Sequence, residues 1–175
     1  VEENSQTGKM FVSTFDSEHE IRIDGKNISD VDITEKQCQN WMEPRSMTKL
    51  YDSAIADLNK LIQAKKDYEK NMPRALRNLD PKIVIVWACM TDGADNESNA
   101  TIEDFKNKVK EARDVHDVKC FFLGANQDAV MTGQKFGFSK DCSLTFGAND
   151  ACAASALRSV TQVMREASQG AQDVG

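Results

Sequence analysis

The sequence lacks the features that mark proteins of membranes and nucleic acids. It contains no apolar run long enough to cross a bilayer. Aromatic residues make up only 7% of the chain and do not alternate with basic residues, and the formal net charge is −6. Because an acidic surface repels phosphate backbones and anionic lipids, we expect neither a nucleic acid nor a membrane as a partner.

The motifs of common enzyme classes are also missing. No Gly-x-Gly-x-x-Gly or Gly-x-x-x-x-Gly-Lys-Ser/Thr loop follows a predicted strand, and no Gly-x-Ser-x-Gly turn offers a nucleophilic serine. The two histidines, His19 and His116, fall in polar segments, where we expect exposed loop residues. The five cysteines are irregularly spaced without a Cys-x-x-Cys pair, which disfavours zinc-ribbon and thioredoxin-like sites and indicates a reducing, cytoplasmic setting. We predict that the protein is not an enzyme.

The 175 residues are enough for one domain with its own core. We predict this domain at residues 10–166, preceded by a linker or helix end at residues 1–9 and followed by a flexible tail at residues 167–175. Hydrophobic periodicity and turn residues define the elements inside the domain. The predicted strands are residues 10–15, 20–24, 82–90, 118–123 and 143–146. The predicted helices are residues 35–42, 48–70, 74–79, 127–136 and 150–166, with one more that begins after Thr101.

The order of these elements predicts the fold class. From residue 82 onward strands alternate with helices, a pattern typical of right-handed crossovers and a mostly parallel sheet with helices on both faces. Residues 10–15 and 20–24 are close enough in sequence to form an antiparallel hairpin at the edge. We therefore predict an α/β fold with a three-layer, doubly wound, mostly parallel sheet and an antiparallel edge hairpin.

The most informative segment is residues 82–90, an apolar run without alternation that is typical of a strand inside a parallel sheet. Thr91, Asp92 and Gly93 follow it at the carboxyl end, where α/β sheets bind their ligands. Hydroxyl and carboxylate oxygens suit Mg²⁺, Mn²⁺ or Ca²⁺. The tripeptide is equally an ordinary strand ending, because aspartate and glycine favour turns.

Taken together, these segments resemble the von Willebrand factor A (VWA) domain, in its intracellular form from microbes and their viruses. The resemblance rests on residues 14–16, 47–54, 91–96 and 121–128 and extends from about residue 10 to 165. It implies a metal-ion-dependent adhesion site for Mg²⁺, or for Mn²⁺ or Ca²⁺. Carried over to this chain, Thr48 supplies a direct hydroxyl ligand and Asp92 a carboxylate that often acts through water.

One part of the family pattern has no counterpart here. The first strand of the family pattern and the Asp-x-Ser-x-Ser loop that follows it are absent from this sequence. In the sheet of the family this strand is central and lies between the strands that correspond to residues 10–15 and 82–90. We expect that this segment exists outside the given sequence, that a neighbouring chain supplies it, or that the two flanking strands pair directly. With Thr48 and Asp92 alone the cation would be labile or absent. The similar Asp141-x-Ser143-x-Thr145 precedes a short strand, so we expect its side chains at the wrong end of the sheet.

The resemblance implies a non-enzymatic protein-interaction module, in which an acidic side chain of a protein partner completes the coordination of the cation. The alternative is a structural or assembly subunit, for example of a virus particle, that uses the fold for packing without metal. A metal-dependent phosphohydrolase using Asp92 and Asp95 is disfavoured, because the chain offers no nucleophile or phosphate loop beside them.

Overall fold

A computed structural model describes residues 8–43, 45, 47–78, 80–92, 94–125 and 128–146, together with residues 158, 161 and 162. Within these residues the strands are β1 (Lys9–Phe15), β2 (His19–Asn27), β3 (Ile85–Thr91), β4 (Val118–Ala125) and β5 (Ser143–Phe146). The α-helices there are α1 (Glu35–Trp41), α2 (Leu50–Asn71), α3 (Arg74–Arg77), α4 (Ile102–His116) and α5 (Ala129–Lys135). Each lies within a few residues of its prediction. Residues 158, 161 and 162 are helical, and the rest of the helix predicted at 150–166 lies outside the described residues. The predicted tail also lies outside them, and of the predicted linker only residues 8 and 9 are described.

The protein is a mixed α/β structure with two sheets. The strands β3, β4 and β5 form a parallel sheet in that order, and β1 pairs with β2 as the predicted antiparallel hairpin. In the described part of the chain β1 does not pair with β3, which contradicts the alternative in which the two strands join directly.

One edge of β3 has no partner among the described residues, where β3 pairs with β4 alone and β4 is the middle strand of the three. This is the arrangement expected if the first strand of the family pattern is missing, because that strand would be the other neighbour of residues 82–90. The apolar run itself reports which faces of β3 are covered and not how many strands pair along its edges.

The main core lies between one face of the parallel sheet and the helices α2 and α4. The side chains of Leu50, Leu58, Phe105, Val109 and Phe122 are fully buried. Burial of each stabilises the fold by ~1.5–3 kcal/mol. Ile102 is 43% exposed, because it is the first residue of α4 and lies beyond the core.

Aromatic rings connect α5 to this core. The ring centroids of Phe136 and Phe105 are 5.3 Å apart, and those of Phe138 and Phe122 are 5.5 Å apart. On the opposite face of the sheet Phe121 and Leu123 form a second buried cluster. The described helices α2, α4 and α5 all contribute to the first face, so the predicted helical layer on the second face is not tested within the described residues.

The hairpin is attached to α2 through Asp57. Ser13 Oγ donates to Asp57 Oδ2 at 2.6 Å, and His19 Nε2 lies 2.8 Å from Asp57 Oδ1. His19 was predicted to be an exposed loop residue, but it is the first residue of β2 and its side chain is only 23% exposed. His116 also differs from its predicted loop position, since it is the last residue of α4.

Among the described helices, none combines the length and the apolar character that crossing a membrane requires.

The packing of α5 on β5 leads to a first prediction. A Cβ atom on Gly133 would lie 2.2 Å from Ser143 Oγ and 3.0 Å from Ser143 Cβ, too close for either residue to stay in place. We expect Gly133→Ala to lower the free energy of unfolding by ~1–3 kcal/mol, measured by urea denaturation. Gln134→Ala, at the exposed neighbouring position, should change it by less than ~0.5 kcal/mol. Equal effects of the two variants would show that the close approach has no energetic role.

A second prediction concerns the attachment of the hairpin. Asp57→Ala leaves the partly buried Ser13 and His19 without their common acceptor, so we expect a loss of ~1–3 kcal/mol in the free energy of unfolding. Amide exchange in β1 and β2 should accelerate more than in β4. Asp67→Ala on the exposed part of α2 is the control and should leave both measurements nearly unchanged. Faster exchange in β4 than in the hairpin would contradict this role of Asp57.

Candidate functional site

Three segments of the chain meet at the amino end of α2. Lys49 N donates to the carbonyl of Asp16, just after β1, at 2.7 Å. Thr48 N donates to Asn96 Oδ1 at 2.7 Å, and Asn96 N donates back to the carbonyl of Thr48 at 3.1 Å. The carboxyl ends of β1 and β3 therefore lie at the same end of α2. We call this region the rim; it comprises residues 16–20, 45, 47–52 and the described residues of 92–100.

The loop after β3 caps α2. Lys49 occupies the N-cap position without a side-chain cap, so the first amides of the helix need other acceptors. Tyr51 N donates to Asp95 Oδ1 at 3.2 Å, and Asp52 N donates to Ser98 Oγ at 3.0 Å. Ser98 Oγ in turn donates to Asp95 Oδ1 at 2.6 Å. The carboxylate of Asp95 is therefore engaged as a helix cap.

The first turn of α2 holds the loop in return. The Asp52 carboxylate accepts hydrogen bonds from Asn99 N and Ala100 N, both at 2.9 Å. These backbone donors, with Asn99 first, hold the pKa of Asp52 below its ordinary value. Immediately afterwards Thr101 and Asp104 form the predicted capping box of α4. Residues 95–100 of the loop are thus fixed by hydrogen bonds with the first turn of α2, and the capping box of α4 follows directly.

Arg45 fixes the third segment. Its guanidinium donates to Asp16 Oδ2 at 2.6 Å, to Glu18 Oε2 at 2.9 Å and to Glu20. Although desolvation raises the pKa of Asp16, hydrogen bonds from Arg45 and from the backbone of Glu18 outweigh it and leave that pKa below its usual value. The carboxylates of Asp16 and Glu20 raise the pKa of Arg45. Arg22 also pairs with Glu20 at 2.7 Å, so two positive charges face the three carboxylates.

The two residues that the resemblance assigns to a metal, Thr48 and Asp92, both lie at the rim. Thr48 is half-buried and uses its backbone N–H and carbonyl to bind Asn96, while Asp92 is exposed directly after β3. In the described part of the chain neither the Thr48 hydroxyl nor the Asp92 carboxylate has a hydrogen-bond or ion-pair partner. Across the same residues no three His, Cys, Asp or Glu side chains gather into a metal-binding group.

The other candidate metal motif lies elsewhere. Ser143 Oγ is buried beneath Gly133 and donates to the carbonyl of Ser139 at 3.1 Å, while Asp141 is exposed in a short 3-10 turn before β5. The hydroxyl of Ser143 therefore has a structural partner. Ser143 pairs with Phe122, which pairs with Cys89 of β3. The expectation that this motif lies at the wrong end of the sheet stays a prediction.

The roles of several residues that build the rim were not predicted from the sequence. Asp52 had a usable signal, since an acidic residue in the first turn of a helix often binds amide groups. Asp95, disfavoured above as a catalytic carboxylate, caps the amino end of α2 by accepting from Tyr51 N, 44 residues earlier in the chain. Nothing in the sequence marks Arg45, because its three partners are 25 to 29 residues away along the chain.

A comparison with models of known protein families found no match, and a comparison with curated proteins found none either. The VWA resemblance therefore depends on the residues of this chain alone. It remains an interpretation, and the function that it implies is a proposal.

The pKa of Asp52 yields a third prediction. Because the folded-state pKa lies below the ordinary 3.8, the stabilisation is present above that value and is lost as the pH falls through the folded pKa. We expect Asp52→Asn to lower the free energy of unfolding at pH 7 by ~1–3 kcal/mol. The variant should also lose less stability than the parent protein below pH ~4. The measurement is urea denaturation across pH, with Glu69→Gln at the exposed end of α2 as the control. Parallel pH curves for the parent and Asp52→Asn would contradict this assignment.

Proposed function

We propose that this chain is a non-enzymatic protein-interaction module of the VWA type, which binds a protein partner at the rim. The observation that supports the proposal is the contact between Thr48 and the loop that follows β3. Through it Thr48 is bonded to Asn96, four residues after Asp92 and close in sequence to the carboxyl end of β3, the end at which α/β sheets bind their ligands. Residues 95 and 98–100 of this loop are in turn bonded to the first turn of α2.

In this proposal the Thr48 hydroxyl and the Asp92 carboxylate hold a divalent cation, with Mg²⁺ as the first candidate. When bound, the ion supplies positive charge and open coordination positions at the rim. An acidic side chain of the partner would fill one of them. The charge of Arg45 is already shared among Asp16, Glu18 and Glu20, so Arg45 offers little attraction for a carboxylate of the partner. Lys49 is a further cation of the rim and interacts with Asp52. We expect partner binding to weaken when the divalent cation is removed.

Two observations support a non-enzymatic role. Asp95 serves as the cap of α2 and is not free for acid or base chemistry. Cys89 and Cys120 are buried in β3 and β4, and burial raises the pKa of each thiol to about 12. A thiol with such a pKa stays protonated at neutral pH and is a poor nucleophile.

A second candidate function is a structural or assembly subunit, for example of a virus particle. It is favoured by one specific observation: within the described residues β1 and β3 each pair on one side only. Open strand edges are sites where another chain can add. This function would need no metal.

The cation proposal is tested by titrating Mg²⁺ into the protein, followed by calorimetry and by chemical shifts of the rim amides. We expect weak binding, with a Kd on the order of 10⁻³ M, because the chain supplies few ligands. Asp92→Ala and Thr48→Val should each weaken it about tenfold or more.

The matched control is Asp141→Ala, which removes an exposed aspartate from the other candidate motif and should leave binding unchanged. Binding that persists in Asp92→Ala, or that is lost in Asp141→Ala, would eliminate the proposed site.

A further inference from the structure

The segment that carries Thr48 is not held in place by apolar packing. Its described residues from 42 to 47 are all exposed, and the first buried side chain after them is that of Leu50. None of the described residues between α1 and α2 belongs to a helix or a strand. The position of Thr48 therefore depends on polar contacts with other parts of the chain.

Asp16 binds this segment on both sides of Thr48. On the amino-terminal side, the Asp16 carboxylate accepts from Arg45 Nε at 2.6 Å. On the carboxyl-terminal side, the Asp16 carbonyl accepts from Lys49 N at 2.7 Å. Residues 45–49 thus form a short loop that is closed at Asp16 and contains Thr48.

Asp16 is a firm point of attachment for this loop. Its side chain is only 16% exposed, Asp16 N donates to the carbonyl of Glu18 at 3.0 Å, and Glu18 N donates back to Asp16 Oδ1 at 2.9 Å. Arg45 also donates to Glu18 Oε2 at 2.9 Å and to Glu20. A guanidinium offers its donors in a rigid fork, and a network of several charges is held better than an isolated surface ion pair. Arg45 is therefore suited to anchor an otherwise unsupported segment.

The loop after β3 binds Thr48 from another direction. Thr48 N donates to Asn96 Oδ1 at 2.7 Å, and the Thr48 carbonyl accepts from Asn96 N at 3.1 Å and from Glu97 N at 3.3 Å. These bonds use the backbone of Thr48 and leave its side chain available. Asp16 and Asn96, which follow two different strands, together set where the hydroxyl of Thr48 lies.

We propose that Arg45 is a positioning residue for the Thr48 hydroxyl: by binding Asp16 it keeps residues 45–49 closed and holds the hydroxyl for the cation. This inference rests on the proposed function and adds to it a residue that acts without touching the ion. The charge of Arg45 works in the opposite direction, because a guanidinium repels a divalent cation. The two effects have opposite signs and are separable by experiment.

The test is a Mg²⁺ titration of the whole chain and of Arg45→Gln, followed by calorimetry and by the chemical shifts of the rim amides. If Arg45 acted only through its charge, its removal would strengthen Mg²⁺ binding. We expect Arg45→Gln to weaken Mg²⁺ binding about fivefold or more, because the Thr48 hydroxyl is no longer held. In the Thr48→Val background the same change should cause no further weakening, since the hydroxyl through which Arg45 acts is absent.

The matched control is Arg22→Gln. Arg22 also pairs with Glu20, and its hydrogen bonds go to Glu20 at 2.7 Å and to Thr14 at 2.8 Å. The control removes the same charge beside Glu20 but leaves the link between Arg45 and Asp16 intact. It should not weaken Mg²⁺ binding.

A second measurement needs no cation. The bond from Lys49 N to the Asp16 carbonyl closes the loop, so hydrogen exchange of the Lys49 amide reports on closure. We expect this exchange to accelerate about tenfold or more in Arg45→Gln and to change little in Arg22→Gln. Amides of β4 should exchange at the parent rate in both variants, which shows that the domain stays folded.

Three results would overturn the positioning role of Arg45. They are unchanged or tighter Mg²⁺ binding in Arg45→Gln, an equal loss of binding when Thr48 is already valine, and unchanged exchange of the Lys49 amide. Absence of Mg²⁺ binding in the parent protein would overturn the cation site of the proposed function instead. Faster exchange of Lys49 in Arg45→Gln would in that case still support Arg45 as the residue that holds Thr48.

Discussion

The reciprocal hydrogen bonding between the amino end of α2 and the loop after β3 is the constraint on which the rim depends. Asp95 and Ser98 accept from the first amides of α2, while Asp52 of α2 accepts from Asn99 and Ala100. Each segment supplies the acceptors that the other lacks, so neither is satisfied alone. Hydrogen bonds between amides and ionised carboxylates are stronger than neutral ones, and they fix the loop without a metal.

Two regions of the structure contact different parts of α2. At the rim, the positions of Thr48 and Asp92 are set by polar contacts at the end of α2. Along the side of α2, Asp57 holds the hairpin to the helix while β1 and β3 remain unpaired with each other in the described residues. The first region is held by helix caps and the second by the Asp57 carboxylate.

Much of the local structure was predictable because it depends on neighbours in sequence. The capping box of Thr101 and Asp104, the β1–β2 hairpin and the stop of α5 before Gly137 all follow from short-range rules. The parallel order of β3, β4 and β5 follows from alternating strands and helices. The half-buried environment of His19 was not predictable, because its partner Asp57 lies 38 residues away. The partners of Arg45 were not predictable either, because its three carboxylates lie 25 to 29 residues away along the chain.

The sequence by itself determined the α/β class, most element boundaries and the presence of a polar turn after the apolar strand β3. Periodicity and turn chemistry are local, so composition along the chain is sufficient for them. The tertiary structure decided that β3 pairs with β4 alone among the described residues and that Asp95 caps α2 while Asp92 stays exposed. It also decided that Ser53 is buried, with no hydrogen-bond partner in the described part of the chain. Those outcomes depend on which distant segments come together, and edge pairing and side-chain partners leave no periodic signal in the chain.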